Sequence, residues 1–281
     1  MIERAIGELE ITREPLETLV KPYSWIGLAL GLLALFGLTV VIFLGLVLLV
    51  FIAEIPVEGW HVMSDRVAWC YGIVMEGSAD ILIPQRLLIG ALTPVTPRVV
   101  NGYLLVSMLP ELSGIAAVCT VARFHAGNRW RDLLAWRSWS IRKNALVFVI
   151  LLIVVIACNA AGGLIASHFA PEQSESLPSF GLTLVLSILE SLVLAPFMEE
   201  LVMRGWFYTA LRTKLAAWPT IIVTAVIFAA LHSGVSPGAV LATLPLGLAA
   251  GYLRERTGSV RATIAFHLLH NGAAVASLAL H

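Results

Sequence analysis

The feature that most restricts this chain is a run from Trp25 to Ile52 that contains no charged residue. A helix needs roughly 20 mostly apolar residues to cross the hydrocarbon core of a bilayer. Backbone in that layer must satisfy its own hydrogen bonds, which leaves helices and closed barrels. Comparable runs recur at Asn101 to Val121, interrupted by Pro110 and Glu111, and at Asn144 to Ser167, where Leu, Ile and Val dominate. Gly181 to Lys214 begins apolar and then gains charge, and Trp218 to His232, Ala239 to Leu253 and Ala262 to Leu280 follow. The expectation is an all-α, polytopic integral membrane helical bundle of about seven to eight transmembrane helices. The choice between seven and eight turns on Ala53 to Val100, a mixed stretch in which Pro84, Pro94 and Pro97 break helix and an amphipathic or re-entrant piece is expected.

Composition points the same way. Apolar residues make up 59% of the chain and charged residues 13%, against about 25% charged in a soluble domain. Mean hydropathy is +0.90. The formal net charge is zero, which gives no reason to expect a nucleic-acid partner. Cys70, Cys119 and Cys158 are far apart in or near apolar runs and form no Cys-x-x-Cys pair, so they read as packing residues. The first two dozen residues mix acids and bases (Glu3, Arg4, Glu8, Glu10, Arg13, Glu14, Glu17, Lys21), and the run after them exceeds the roughly 7–15 residues of a signal-peptide core. It reads as a first membrane span.

Lys and Arg in short loops set orientation. Arg123, Arg129, Arg131, Arg137, Arg142 and Lys143 place that segment in the cytoplasm, where Trp130, Trp136 and Trp139 suit a membrane-surface helix. The stretch His168 to Ser179 has no Lys or Arg and belongs outside. Arg212 and Lys214 mark an inside turn, Ser233 to Gly238 an outside one, and Arg254, Arg256 and Arg261 another inside one. The N-terminus is then cytoplasmic and the C-terminus outside. No internal repeat is visible. The chain divides into an N-terminal membrane region, 1–143, and a helical core, 144–281.

Charged groups at membrane depth cost roughly 2.5–3.5 kcal/mol each on insertion scales, so those that occur point to function. Glu199, Glu200 and Arg204 sit in APFMEELVMRG, His232 ends VTAVIFAALH, and His267 and Asn271 lie in IAFHLLHN. Glu200 and Arg204 are four residues apart and can pair on one helix face. Glu199 is rotated by about 100° from that face. Phe228 and His232, and His267 and Asn271, repeat the four-residue spacing. If one helix runs to about Lys214 and the next starts at about Trp218, Glu199 and His232 each lie roughly 21–23 Å from the turn and can meet. Pro196 should bend the first helix just before Glu199.

These motifs resemble those of the CPBP or Abi intramembrane peptidases, which include the type II CAAX prenyl endopeptidases. Their Glu-Glu-x-x-x-Arg is found as Glu199 to Arg204, Phe-x-x-x-His as Phe228 to His232, and His-x-x-x-Asn as His267 to Asn271. The resemblance covers roughly residues 181–275, including a helix with Gly247 and Gly251 and the turn Arg256-Thr257-Gly258-Ser259. It implies an intramembrane endopeptidase acting on a membrane-associated or lipid-modified protein or peptide. Glu199 would be the base that activates water, His232 would help hold that water, and His267 and Asn271 would donate to the oxyanion. Glu200, Arg204 and Phe228 would be supporting residues. Glu199, His232 and His267 also form a two-His-one-carboxylate set suited to zinc, although His-Glu-x-x-His is absent. The family is described in both glutamate-type and metallo-type terms. Direct Glu/His catalysis is the favoured reading.

Each motif has a plainer explanation alone: a helix-stabilising ion pair, an interfacial histidine, interhelical packing. Together these leave the shared layer unexplained. Glu190, about half a turn out of phase with Glu199, reads as structural or as paired with another helix. His270 would replace His267 if the register shifted. The Gly-x-Ser-Gly and Gly-x-Gly-Asp signatures of other intramembrane proteases are absent. The rival reading is a non-catalytic binding, immunity or transport protein that uses the Glu/His cluster for a ligand or protons.

Overall fold

The computed structural model describes residues 23–46, 48–49, 97–169, 181–232 and 237–279. The expected amphipathic or re-entrant piece in Ala53 to Val100 and the two outside loops fall largely outside these residues, as does Cys70.

Among the described residues all regular structure is helical. Helix α1 spans Trp25–Leu46 and α2 Pro97–Ala126, which runs on through Pro110. A 3-10 turn, Gly127–Arg129, leads to the single-turn α3, Trp130–Leu133. Helix α4 spans Ile141–Phe169. A rod over residues 182–212, α5, follows in several consecutive pieces described below. Helices α6, Ala217–Leu231, α7, Pro237–Thr257, and α8, Val260–Ala279, complete the order.

Two of these helices are long and apolar enough to cross a membrane: Trp25–Leu46, with mean hydropathy 2.6, and Ile141–Gly162, with 2.8. Their apolar side chains face outward. Leu33, Phe36 and Ile153 are 68%, 72% and 62% exposed. In water such a surface would be a large contiguous apolar patch of the kind soluble monomers avoid. Facing lipid, it has no such cost. Helix α6 is apolar but shorter.

The basic, Trp-rich segment after α2 differs from the expected surface helix. Between α2 and α4 helix is confined to the 3-10 turn and α3, and Leu133 and Leu134 are buried. Trp139 stacks on Phe148, and Ala135 turns the chain at a φ of 51°. The Ala135 carbonyl then accepts the Val260 N–H at 3.0 Å, and the Ser259 hydroxyl donates to the Arg137 carbonyl. Apolar burial and these bonds to the start of α8 hold the segment against the bundle.

The α7–α8 turn shows why the elements break where they do. Gly258 takes a φ of 68°, the left-handed conformation that ends a helix at least cost in glycine. Ser259 follows and accepts the Arg261 N–H at 3.2 Å as a cap. Helices α6 and α7 approach closely because α7 presents Gly247 and Gly251 to Ala225 and Ile221. A Cβ on Gly247 would lie 3.0 Å from the Ala225 Cα. Small residues spaced by four are a common way for apolar helices to pack backbone to backbone.

Candidate active site

The rod α5 is α-helical over Leu182–Ile188, π-helical over Leu189–Leu194, α-helical over Ala195–Glu200, π-helical over Leu201–Phe207 and α-helical over Tyr208–Arg212. The acidic pair therefore ends a short α-helical piece between two widened turns. Widened turns of this kind recur at functional sites. Pro196 accounts for the first, because it has no N–H and its ring crowds the preceding turn. The Ala195 N–H reaches back five residues to the Glu190 carbonyl. The Ser191 carbonyl is thus bypassed by Ala195, and the next residue, Pro196, has no hydrogen to give it. Asn271 of α8 supplies one from Nδ2 at 2.9 Å. The second widened turn repeats the arrangement. The Tyr208 N–H bonds the Met203 carbonyl, and the neighbouring Arg204 carbonyl accepts Nε of Arg254 at 2.9 Å.

Glu200 and Arg204 are fully buried and paired, Nη1 to Oε1, at 2.8 Å. Arg204 Nη2 also donates to the Gly247 carbonyl at 3.1 Å, and its guanidinium lies 4.5 Å from the Phe228 ring centroid. Removing either partner of such a pair would leave a lone charge where water cannot reach it. Phe228 also touches both site histidines, with ring centroids 4.7 Å from His232 and 6.0 Å from His267. It is thus a packing centre for three polar side chains.

Glu199 faces the other way, as its rotation from Glu200 requires, and looks onto both histidines. Its Oε1 lies 3.8 Å from Nε2 of His232, and its Oε2 lies 3.8 Å from Nε2 of His267. These separations are too long for direct hydrogen bonds. The far side of each imidazole is already engaged. His232 Nδ1 lies 2.8 Å from the Phe228 carbonyl, and His267 Nδ1 lies 3.1 Å from Glu200 Oε1. Both of those partners can only accept, so each Nδ1 carries a hydrogen. In the neutral imidazoles each Nε2 is then a bare lone pair. Three acceptors converge on one gap, an arrangement that calls for a donor or a cation between them.

Access differs within the set. The side chains of Glu199 and His232 are 23% and 27% exposed, and that of His267 is 4% exposed. Among the described residues no group of three or more His, Cys, Asp or Glu is spaced to hold a metal ion. The donor chemistry of Glu199, His232 and His267 nonetheless suits zinc, because both Nε2 atoms are in the ligating form.

Of the remaining sequence-derived residues, Asn271 is committed through one Nδ2 hydrogen to Ser191, and its Oδ1 lies 3.1 Å from Nδ1 of His270. His270 is the neighbour of that motif and does not replace His267, which holds the contact to Glu200. Glu190 contributes its carbonyl to the first widened turn. Several residues escaped sequence reasoning. Asn159, the amide in the interior of α4, bonds His270. Arg254 ties α7 to α5 through the Arg204 carbonyl and the Thr209 hydroxyl. Glu111 is 6% exposed in α2 and lies within electrostatic reach of Glu190 and Glu199. Asn159 and Glu111 are polar residues in apolar runs, the signal that singled out Glu199, but neither sits in a recurring spacing, and Arg254 belongs to the charged end of α7, which reads as a turn marker.

An apolar cleft of about 230 Å³ is lined by Ile115, Trp130, Trp136, Phe197 and Leu201 among others. Phe197 is two residues before Glu199, roughly 200° around the helix. The rod itself therefore separates this cleft from the carboxylate.

Fold and site together define a helical, strongly apolar protein with a half-buried Glu–His–His centre. Residues 181–273 match the family model of the Rce1-like type II CAAX prenyl endopeptidases. The match agrees with the resemblance carried by the three motifs and contains every residue of them. The family is one of membrane-embedded proteases, in keeping with the two span-length helices. Comparison with curated proteins and with solved structures finds no match.

Proposed function

We propose that the chain is a multi-pass intramembrane endopeptidase with a cytoplasmic N-terminus, whose catalytic core lies in 144–281. It hydrolyses a peptide bond in a membrane-associated or lipid-modified protein or peptide. The observation that carries this reading is the gap bounded by the Glu199 carboxylate and the two Nε2 atoms. A water there finds acceptors for both of its hydrogens. Glu199 takes one proton, and His232 orients the molecule through the other. The hydroxide adds to the scissile carbonyl carbon. As the C–N bond breaks, the proton held by Glu199 passes to the leaving amine. His267, backed by Glu200, and the second Nδ2 hydrogen of Asn271 form the cradle for the oxyanion.

Zinc is compatible with the same donors. Glu199, His232 and His267 would hold it, and it would make a bound water more acidic and polarise the carbonyl. The residue roles outside the centre are unchanged. Glu200 and Arg204 hold the rod, and Phe228 holds the two imidazoles.

The test compares membrane proteomes of cells carrying the wild type, Glu199→Gln or His232→Ala. Uncleaved membrane precursors should accumulate equally in both variants while each protein remains folded and inserted. Full processing by Glu199→Gln would refute the mechanism. With the purified enzyme and a precursor so identified, loss of cleavage on chelation and its return with zinc would select the metallo form. Insensitivity to chelators would select the glutamate form.

A further inference from the structure

The apolar span α4 carries one amide in its interior, Asn159, which is half-buried and belongs to a part of the chain outside the family-matched segment. Its Nδ2 bonds Nε2 of His270. His270 Nδ1 in turn faces Asn271 Oδ1 at 3.1 Å, and Asn271 Nδ2 donates to the Ser191 carbonyl at 2.9 Å. The direction of every bond in this chain follows from its last member. The Ser191 carbonyl can only accept, so Asn271 must turn its amide nitrogen toward it. Asn271 Oδ1 then faces His270, so the hydrogen of that ring sits on Nδ1. Nε2 is left as a lone pair, and Asn159 must present its nitrogen.

We infer that Asn159 is a positioning residue for the candidate site: through His270 it locks the amide of Asn271 onto the carbonyl that Pro196 frees in α5. The chain ties a membrane-span helix and α8 to the widened turn just before Glu199. It also orients the remaining Nδ2 hydrogen of Asn271, which the proposed mechanism uses, so the catalytic part of the inference rests on that reading. An amide in an apolar span is otherwise an expense with no return.

The test has two arms, both on the full chain in lipid nanodiscs. In the first, ¹⁵N-histidine spectra assign the His270 ring by its loss in His270→Gln. The wild type should show the Nδ1–H tautomer with a hydrogen-bonded Nε2, and in Asn159→Leu the Nε2 resonance should move to that of an unbonded lone pair. An Nε2–H ring in the wild type, or an unchanged ring in Asn159→Leu, overturns the inference. In the second, cleavage of a precursor identified by the proteomic comparison is measured. Asn159→Leu should lower kcat about tenfold, the scale of one buried hydrogen bond, with KM within about twofold. Asn159→Gln, which keeps the donor, should recover part of the loss. In an Asn271→Ala background Asn159→Leu should add nothing. Wild-type kcat in Asn159→Leu, or effects that simply multiply, overturns the positioning role. If Glu199→Gln still cleaves, the proposed chemistry fails, and the tautomer arm still decides whether Asn159 sets the bonded chain.

Discussion

Glu199 and Glu200 are adjacent and chemically identical, yet the helix assigns them different environments. Glu200 is fully buried, bonded to Arg204 at 2.8 Å and to His267 at 3.1 Å. Glu199 is partly exposed and holds two imidazoles at a distance. The consequence for variants is specific. Glu200→Gln or Arg204→Met alone should destabilise the protein by about 3–5 kcal/mol, because the partner is left charged and buried. Glu200→Leu combined with Arg204→Met should recover most of that loss, read as the unfolding midpoint in detergent. Glu199→Gln should unfold with the wild type, within about 0.5 kcal/mol, since its carboxylate stands 3.8 Å from each imidazole. A double variant no better than the singles would show that the pair does more than neutralise itself. Sequence spacing was enough to separate the two acids. It did not show that His267 leans on Glu200, because that contact depends on the rotation of α8 about its own axis.

At the scale of the element, the rod α5 is the component that aims the site. That the helix is irregular before Glu199 was legible from Pro196 alone. That the irregularity is a widened π turn was not. A π turn costs backbone bonds that only neighbouring helices can replace, and here Asn271 and Arg254 replace them. Pro196→Ala returns an N–H that can reach the Ser191 carbonyl and compete with Asn271. We expect Pro196→Ala to leave thermal stability equal to or above that of the wild type, since proline disfavours helix interiors. Cleavage should fall about tenfold or more as the Asn271 amide is released and Glu199 rotates. A variant that is both more stable and fully active would show that the widened turn is incidental. The expected surface helix at Arg123 to Lys143 failed for a related reason. Its tryptophans suited a membrane interface, but Leu133 and Leu134 buried themselves against the bundle and the chain turned back to cap α8.

Among the described residues, α1 and α4 present apolar side chains outward, while several charged side chains are enclosed in the bundle. Leu33 on α1 and Ile153 on α4 point outward, while Arg204, Glu200 and His267 are enclosed. Exposed apolar faces of this kind suit lipid better than water. Leu33→Arg and Ile153→Arg should each cost roughly 2.5–3.5 kcal/mol of insertion free energy. The fraction of protein recovered in membranes should fall, as read by membrane fractionation and by glycosylation mapping of the flanking loops. A charge accepted at either site without loss of insertion would mean that the helix is not lipid-facing.

Taken alone, the sequence determined that the chain is helical and suited to a membrane. Long runs without charge admit few other backbones, and composition leaves too little polar surface for water. It also marked Glu199, His232 and His267, because polar residues that persist in apolar runs carry a cost that something must offset. Only the tertiary structure decided how these residues face one another. The four-residue spacings say which side chains share a helix face, but not which face a neighbouring helix presents. The closeness of α6 and α7 at Gly247, the widened turns of α5, and the bonded chain from Asn159 to Ser191 all arise from contacts between different helices. The feature that most constrained the fold, an uncharged run long enough to span a bilayer, thus set the surroundings of the site, while packing between helices set its geometry.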